Sequence, residues 1–176
     1  AVLTKGNVTI KNIVPEELEL FWALLRETGA NFTVNKKEVV VRPAKKLRAV
    51  HRLQTAINPG FPTDLQAPFV VLLTQCEGES LVHETLFEGR FKYLPELVKM
   101  GAKFNILNPH QIVVKGPRPL RGSCVESCDL RAGAAVVLAA LAARGKSIVK
   151  HIEYIDRGYE KFEKKLASLG ADIKRV

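Results

Sequence analysis

Leu97-Val98-Lys99-Met100-Gly101-Ala102 is the stretch on which the fold turns, because its outline recurs as Leu25-Arg26-Glu27-Thr28-Gly29-Ala30 and as Leu166-Ala167-Ser168-Leu169-Gly170-Ala171. Gly29, Gly101 and Gly170 stand 72 and 69 residues apart. Upstream, Gly6, Gly78 and Gly145 keep almost the same period, 72 and 67 residues. Each of these precedes a strand-like run: Val8-Thr9-Ile10, Ser80-Leu81-Val82 and Ser147-Ile148-Val149. Two independent markers in one register predict three copies of a single supersecondary unit.

Working outward from the glycines gives the unit. Leu18, Phe21, Trp22 and Leu25 in copy one, and Phe162, Leu166 and Leu169 in copy three, follow a helical period, so each helix should turn one face inward. The glycine after each helix suits a left-handed C-terminus. Hairpins should follow: Phe32-Thr33-Val34 against Val39-Val40-Val41, and Phe104-Asn105-Ile106-Leu107 against Ile112-Val113-Val114. In copy three, Ala171–Val176 is expected to supply only the first strand of its hairpin. Leu65–Gln75 and Leu130–Ala143 are apolar on nearly every side, which predicts helices buried all round. Asp64 and Asp129 stand at their starts, where a carboxylate can cap free N–H groups, and Pro68 falls in a first turn that tolerates it. In this register the corresponding helix of copy one would begin about ten residues before Ala1, with Ala1-Val2-Leu3 as its last turn. The expectation is an α/β domain over 1–176, with repeats near 1–50, 60–116 and 122–176, incomplete at both ends.

Composition bounds the class. A chain of 176 residues predicts one domain, burying about 70% of the surface that the unfolded chain exposes. With 47% hydrophobic and 26% charged residues it reads as an ordinary soluble globular protein. Lys and Arg number 27 against 18 Asp and Glu, a net charge of +9 that favours anionic partners without choosing among nucleic acid, acidic membrane and phosphorylated small molecule. Leu130–Ala143 contains Arg131 and falls short of the roughly 20 residues of a membrane-spanning helix. No signal peptide is visible at Ala1–Gly6. Cys76, Cys124 and Cys128 are too few and odd in number for a disulfide framework, so a reducing compartment is expected.

Four stretches could carry chemistry, each beside a plainer reading. Asn58-Pro59-Gly60-Phe61-Pro62-Thr63-Asp64-Leu65-Gln66 delivers Asp64 to a helix N-terminus, where it either caps the helix or serves as a reactive carboxylate. Phe87-Glu88-Gly89-Arg90-Phe91 puts Arg90 in a connection, unless it is only a solvated Arg. Ser127-Cys128-Asp129-Leu130-Arg131 repeats the arrangement of Asp64 with an added Arg. Asp156-Arg157-Gly158-Tyr159 takes in copy three the place of Glu88-Gly89-Arg90, with a surface ion pair as the default for Arg157. Equivalent repeat positions should emerge at one end of the domain, bringing helix N-termini and guanidiniums together, a surface suited to phosphate and carboxylate groups. Cys124 and Cys128 lack a second pair, so no metal is expected; His51, His83, His110 and His151 are scattered. Arg42-Pro43-Ala44-Lys45-Lys46-Leu47-Arg48 has no interleaved aromatics and reads as a solvated loop before a nucleic-acid site.

Pro59–Ala67, Glu84–Phe91, Asp129–Gly133 and Ile155–Glu160 together closely resemble the UDP-N-acetylglucosamine enolpyruvyl transferases, and the resemblance covers essentially the whole chain. The related shikimate-pathway enzyme shares the architecture but not these four stretches together. The resemblance implies an inside-out α/β barrel of three βαβαββ repeats around buried helices, this chain being the part nearer the C-terminus. It implies transfer of the enolpyruvyl group of phosphoenolpyruvate to the 3-hydroxyl of UDP-N-acetylglucosamine, with release of phosphate, by addition and elimination. This is the first committed step of peptidoglycan synthesis in a bacterial cytoplasm, and it needs no cofactor. By motif, Asp64 corresponds to the base at the sugar hydroxyl, Leu86 to a nucleotide-sugar contact through its backbone, and Arg157 to a phosphoenolpyruvate-binding Arg. Arg90, Asp129 and Arg131 correspond to polar groups of the interdomain cleft.

Two positions depart from the family pattern: Gly89 stands where Asn is usual, and Cys128 where Thr is usual. The family's mobile-loop Cys or Asp and its phosphoenolpyruvate-binding Lys match nothing here, so the isolated segment is expected not to turn over and to need the N-terminal part of the same enzyme as partner. An unpaired strand edge predicts self-association. No membrane or nucleic-acid partner is expected. The alternatives are a stand-alone, non-catalytic anion-binding or nucleotide-sugar-binding domain and a basic nucleic-acid binder, the latter betrayed by steep salt dependence.

Overall fold

The computed structural model describes residues 1–176. Copy two shows the unit in full: β4 (Arg52–Gln54), α2 (Gln66–Leu73), β5 (Gly78–His83), α3 (Leu94–Lys99), β6 (Lys103–Asn108) and β7 (Gln111–Gly116). The four strands form a sheet in the order β4-β5-β7-β6, with β4 parallel to β5 and the other pairs antiparallel. In copy one, β1 (Val8–Lys11), α1 (Glu19–Glu27), β2 (Asn31–Val34) and β3 (Glu38–Arg42) leave a three-stranded antiparallel sheet in the order β1-β3-β2. In copy three, β8 (Cys124–Glu126), α4 (Leu130–Ala142), β9 (Ile148–Lys150), α5 (Glu153–Asp156) and α6 (Phe162–Ser168) carry only the parallel pair β8–β9. No helix is long and apolar enough to cross a membrane.

Both predicted hairpins form in the expected register, with Phe32 opposite Val41 and Phe104 opposite Val114. β4 and β8 were not foreseen, because three residues are too short for an alternation to show. Gly29, Gly101 and Gly170 all take the left-handed backbone, with φ of +79°, +100° and +92°. At Gly101 and Gly170 the paired closing hydrogen bonds of a Schellman motif are present: Gly101 N–H to the Val98 carbonyl with Ala102 N–H to Leu97, and Gly170 N–H to Ala167 with Ala171 N–H to Leu166. Ala1–Gly6 closes in the same way, with Gly6 N–H donating to the Ala1 carbonyl and Lys5, at φ +54°, to that of Val2.

Two expectations fail in copy three. Ala171–Val176 forms no strand, since no ladder runs beside it to take its backbone groups. The apolar stripe of α6 buries no residue, although the helix itself is present.

α2 and α4 are the buried helices that the composition predicted, and they pack side by side within one cluster of 26 core residues that also holds Leu24 and Leu25 of α1 and Leu97 of α3. Copy one is locked to copy two by aromatic rings. Phe61 meets Phe69 edge-on at 5.4 Å, and Phe21 of α1 lies 5.9 Å from Phe69 and 6.2 Å from Phe61. Phe61 is wholly buried, which pins the turn before α2 from below.

Candidate active site

The Asn58–Asp64 turn is rigid for reasons visible atom by atom. A Cβ on Gly60 would stand 2.4 Å from that of Ala56, so only glycine lets the backbone double back there. Ala56 N–H donates to the Phe61 carbonyl at 3.0 Å, and Phe61 fills the core. Asp64 then falls within a one-turn 3-10 helix, Thr63–Leu65, directly ahead of α2. It caps nothing: the N-cap is Pro62, with no side-chain capping bond. The capping alternative for Asp64 is therefore overturned. Its carboxylate accepts instead from Nε of Arg131, 67 residues away, through an ion pair that spans the starts of α2 and α4.

Asp129 behaves as the capping reading requires. It is the N-cap of α4, and its Oδ1 accepts from the backbone N–H groups of Arg131 at 2.8 Å and Ala132 at 2.9 Å. The cap fixes the first turn of α4 and thereby aims Arg131 at Asp64. The two repeat-related aspartates thus divide the work, one holding the helix and the other projecting beyond it.

The connection after α5 closes on this pair. Gly158 packs on Leu130 so closely that a Cβ would lie 3.1 Å from its Cδ1, which brings the connection after α5 over the start of α4. Tyr159, a residue without a role on sequence grounds, follows immediately. Partial burial, with the nearby Asp64 charge, pushes its phenol above the ordinary tyrosine range, against an opposing effect of Arg131. Arg157 is exposed on that connection, and no ion pair includes its guanidinium. Its neighbour Asp156 takes the ion pair instead, holding Arg175 through both carboxylate oxygens at 3.1 and 2.5 Å.

On the copy-two side, Glu84, immediately after β5, is almost fully buried. It is the residue that sequence reasoning missed most clearly, since nothing in Glu84–Phe91 marks its side chain as dry. Its Oε1 accepts from Thr55 Oγ1 at 2.9 Å and from the Leu86 and Phe87 N–H groups at 3.0 and 3.3 Å, and its Oε2 accepts from Thr63 Oγ1 at 2.8 Å. With its N–H taken by Glu84, Leu86 keeps only its carbonyl for a backbone contact outward. Arg90 lays its guanidinium over the Phe87 ring, 4.6 Å from the centroid, and so is positioned without an acidic partner. Gly89 sits at φ +68°, a conformation in which Asn is the next-best residue, so the Gly89 departure preserves this turn. Burial, followed by the Asp129 charge, pushes the Cys128 thiol above its ordinary value.

The profile of the EPSP synthase family (3-phosphoshikimate 1-carboxyvinyltransferase) matches residues 1–166. The chain belongs to the EPSP synthase family. Within it, this family member is 46% identical over 171 residues to UDP-N-acetylglucosamine 1-carboxyvinyltransferase 2 of Symbiobacterium thermophilum, covering 97% of the chain and 40% of that protein. It is 45% identical over 176 residues to UDP-N-acetylglucosamine 1-carboxyvinyltransferase of Halothermothrix orenii, covering 100% of the chain and 42% of the relative. The chain thus spans about two fifths of the curated relatives it matches. Among solved structures, the enolpyruvyl transferase NikO from Streptomyces tendae superimposes with a TM-score of 0.90 at 28% identity, over 99% of this chain and 42% of that one. EPSP synthase from Acinetobacter baumannii shares the fold, with a TM-score of 0.76 at 17% identity, over 99% of this chain and 44% of its own.

Proposed function

We propose that this EPSP synthase-family chain is part of a bacterial, cytoplasmic UDP-N-acetylglucosamine enolpyruvyl transferase. Relatives bearing that name at 41% to 46% identity over nearly the whole chain support the substrate assignment. The observation that carries the site is the ion pair between Asp64 and Arg131, which joins two of the four motif stretches across two helix starts.

In this reading Asp64 accepts the proton of the sugar 3-hydroxyl as its oxygen bonds to C2 of phosphoenolpyruvate, and C3 gains a proton from an acid supplied outside this chain. Elimination then breaks the bond from C2 to the phosphate oxygen, C3 loses a proton, and the enolpyruvyl ether and inorganic phosphate leave. Arg131 orients Asp64, while Arg157 and Arg90 offer cations to the phosphate and carboxylate groups of the substrates. Leu86 contributes its carbonyl, and Asp129 holds the α4 start in place.

In the intact polypeptide, Asp64→Asn should lower kcat by about a hundredfold or more, read by coupled phosphate release, since the amide cannot take the proton. Undiminished turnover would overturn the role of Asp64. The 176-residue chain alone should release no phosphate, the acid and further phosphoenolpyruvate contacts coming from the rest of the enzyme. Turnover near that of an intact enzyme would refute this. Tight binding of UDP-N-acetylglucosamine by an intact polypeptide without any turnover would favour the non-catalytic binding domain. The open edges of the β8–β9 pair should make the isolated chain associate, and a monodisperse monomer by light scattering at high concentration would count against it.

A further inference from the structure

We propose that Glu84 is a positioning residue of this site: its buried carboxylate ties the Asp64 turn to the Leu86–Phe87 backbone through hydrogen bonds alone. The inference rests on the proposed function and deepens it. A carboxylate removed from water is costly unless its oxygens are supplied with donors or paired with a cation. None of the chain's ion pairs includes Glu84. Its compensation is the set of donors from Thr55, Thr63, Leu86 and Phe87.

What these donors belong to gives Glu84 its role. Thr63 is the neighbour of Asp64, and Leu86 and Phe87 form the connection that carries the backbone contact and the ring under Arg90. One side chain therefore sets the relative position of the base and the nucleotide-sugar contact, which lie on separate segments. Glu84 is itself clamped: its N–H donates to the His110 carbonyl at 2.8 Å, and its carbonyl meets His110 Nδ1 at 3.1 Å. Thr55 Oγ1, while donating to Glu84, also accepts the Thr85 N–H at 2.9 Å. Separately, buried Tyr93 donates to Oε1 of Gln66, the first residue of α2, at 3.1 Å.

Copy three supplies an internal control, because it keeps the parallel pair β8–β9 and the buried helix α4 between them. Its residue at the position of Glu84, immediately after β9, is His151, exposed and left-handed at φ +58°. These elements form there without a buried carboxylate at this point, so the local fold alone does not demand Glu84.

The test measures UDP-N-acetylglucosamine binding to the intact polypeptide by titration calorimetry, which separates affinity from the number of competent sites, together with turnover per counted site. Glu84→Met keeps the volume but strands all four donors. It should raise Kd about tenfold at a stoichiometry near one. Glu84→Gln should stay within about threefold of wild type, its carbonyl serving the three Oε1 donors and its amide meeting a Thr63 hydroxyl turned to accept. Thr63→Val, which cuts only the arm to Asp64, should leave Kd unchanged and lower turnover per site about fivefold or more. An unchanged Kd in Glu84→Met, or a fall in stoichiometry at unchanged Kd, overturns the inference. So does a Glu84→Gln loss as deep as that of Glu84→Met. Should Glu84→Met not fold, unaltered turnover per site in Thr63→Val overturns it. A wild-type polypeptide that binds no UDP-N-acetylglucosamine overturns the proposed function instead, a result distinct from all of these.

Discussion

Copies two and three are built from the same local signals and end in opposite circumstances. Met100 and Leu169 occupy one repeat position, immediately before the left-handed glycine; Met100 is 0% exposed and Leu169 63%. Leu97 is likewise wholly buried, whereas its counterpart Leu166 lies on a helix with no buried residue. The difference is what lies beneath. α3 packs against α4, β8 and β6 of a four-stranded sheet, whereas the sheet of copy three is only the short β8–β9 pair. A helix and its cap are local structures, but burial of the apolar stripe needs a partner surface.

The comparison can be broken most directly by truncation at Met100 and Leu169. Met100→Ala should cost about 2–5 kcal/mol in denaturant unfolding, and Leu169→Ala less than about 0.5 kcal/mol. Similar losses at the two positions would mean that α6 is packed as α3 is. Thiol labelling should draw the same line. Cys76, at the end of α2, is buried, and that burial pushes its thiol to about 12, whereas Cys124 and Cys128 of copy three are exposed. A shift from the ordinary value of 9 to about 12 lowers the thiolate fraction about a thousandfold. Native protein at pH 8 should therefore take two equivalents of iodoacetamide, with the third entering only on unfolding.

Glycine substitutions should erase the contrast. Gly101→Ala and Gly170→Ala both force an alanine to positive φ, at +100° and +92°, and each should cost about 1–2 kcal/mol irrespective of packing. A much larger loss at Gly101 would show that the Pro119 carbonyl oxygen, 3.4 Å from where the new Cβ would stand, adds a clash to the strain. The smallest effect concerns the tie between Asp156 and Arg175, which holds residues after α6 to α5. The Arg175 hydrogen bonds and charge depress the Asp156 pKa below its ordinary 3.8. The contribution is therefore complete above pH 4 and fades as pH falls through the depressed value. The backbone order parameter of Arg175, read by nitrogen relaxation, should fall as pH drops through that depressed value and, in Asp156→Asn, at neutral pH, with little change in global stability. An order parameter insensitive to both would show that this tie does not hold the segment.

Much of the unit is legible because its signals are short-range. The helical stripe of Leu18, Phe21, Trp22 and Leu25, the glycine behind it and the Phe32–Val41 hairpin each involve neighbours a few residues apart. β4 and β8 escape notice because three-residue strands carry no readable alternation. In the candidate site, motif resemblance picks out Asp64, Asp129 and Arg131, yet capping and projection cannot be told apart in sequence. Both aspartates precede apolar helices, and only the backbone at Pro62 and the position of Arg131 separate their roles. Glu84 stays hidden for a related reason: a glutamate at a strand end reads as solvated until Thr55, Thr63 and the Leu86–Phe87 backbone are seen around it.

By itself the sequence determines the threefold repeat, the caps at Gly29, Gly101 and Gly170, and the two helices apolar on every side, because backbone conformation and hydrophobic periodicity are properties of contiguous residues. Tertiary structure alone decides that α6 stays exposed, that Ala171–Val176 is no strand, that Arg131 reaches Asp64 across 67 residues, and that Glu84 is dry. Each of these depends on which surfaces meet, since burial and long-range hydrogen bonds exist only once distant segments have packed together.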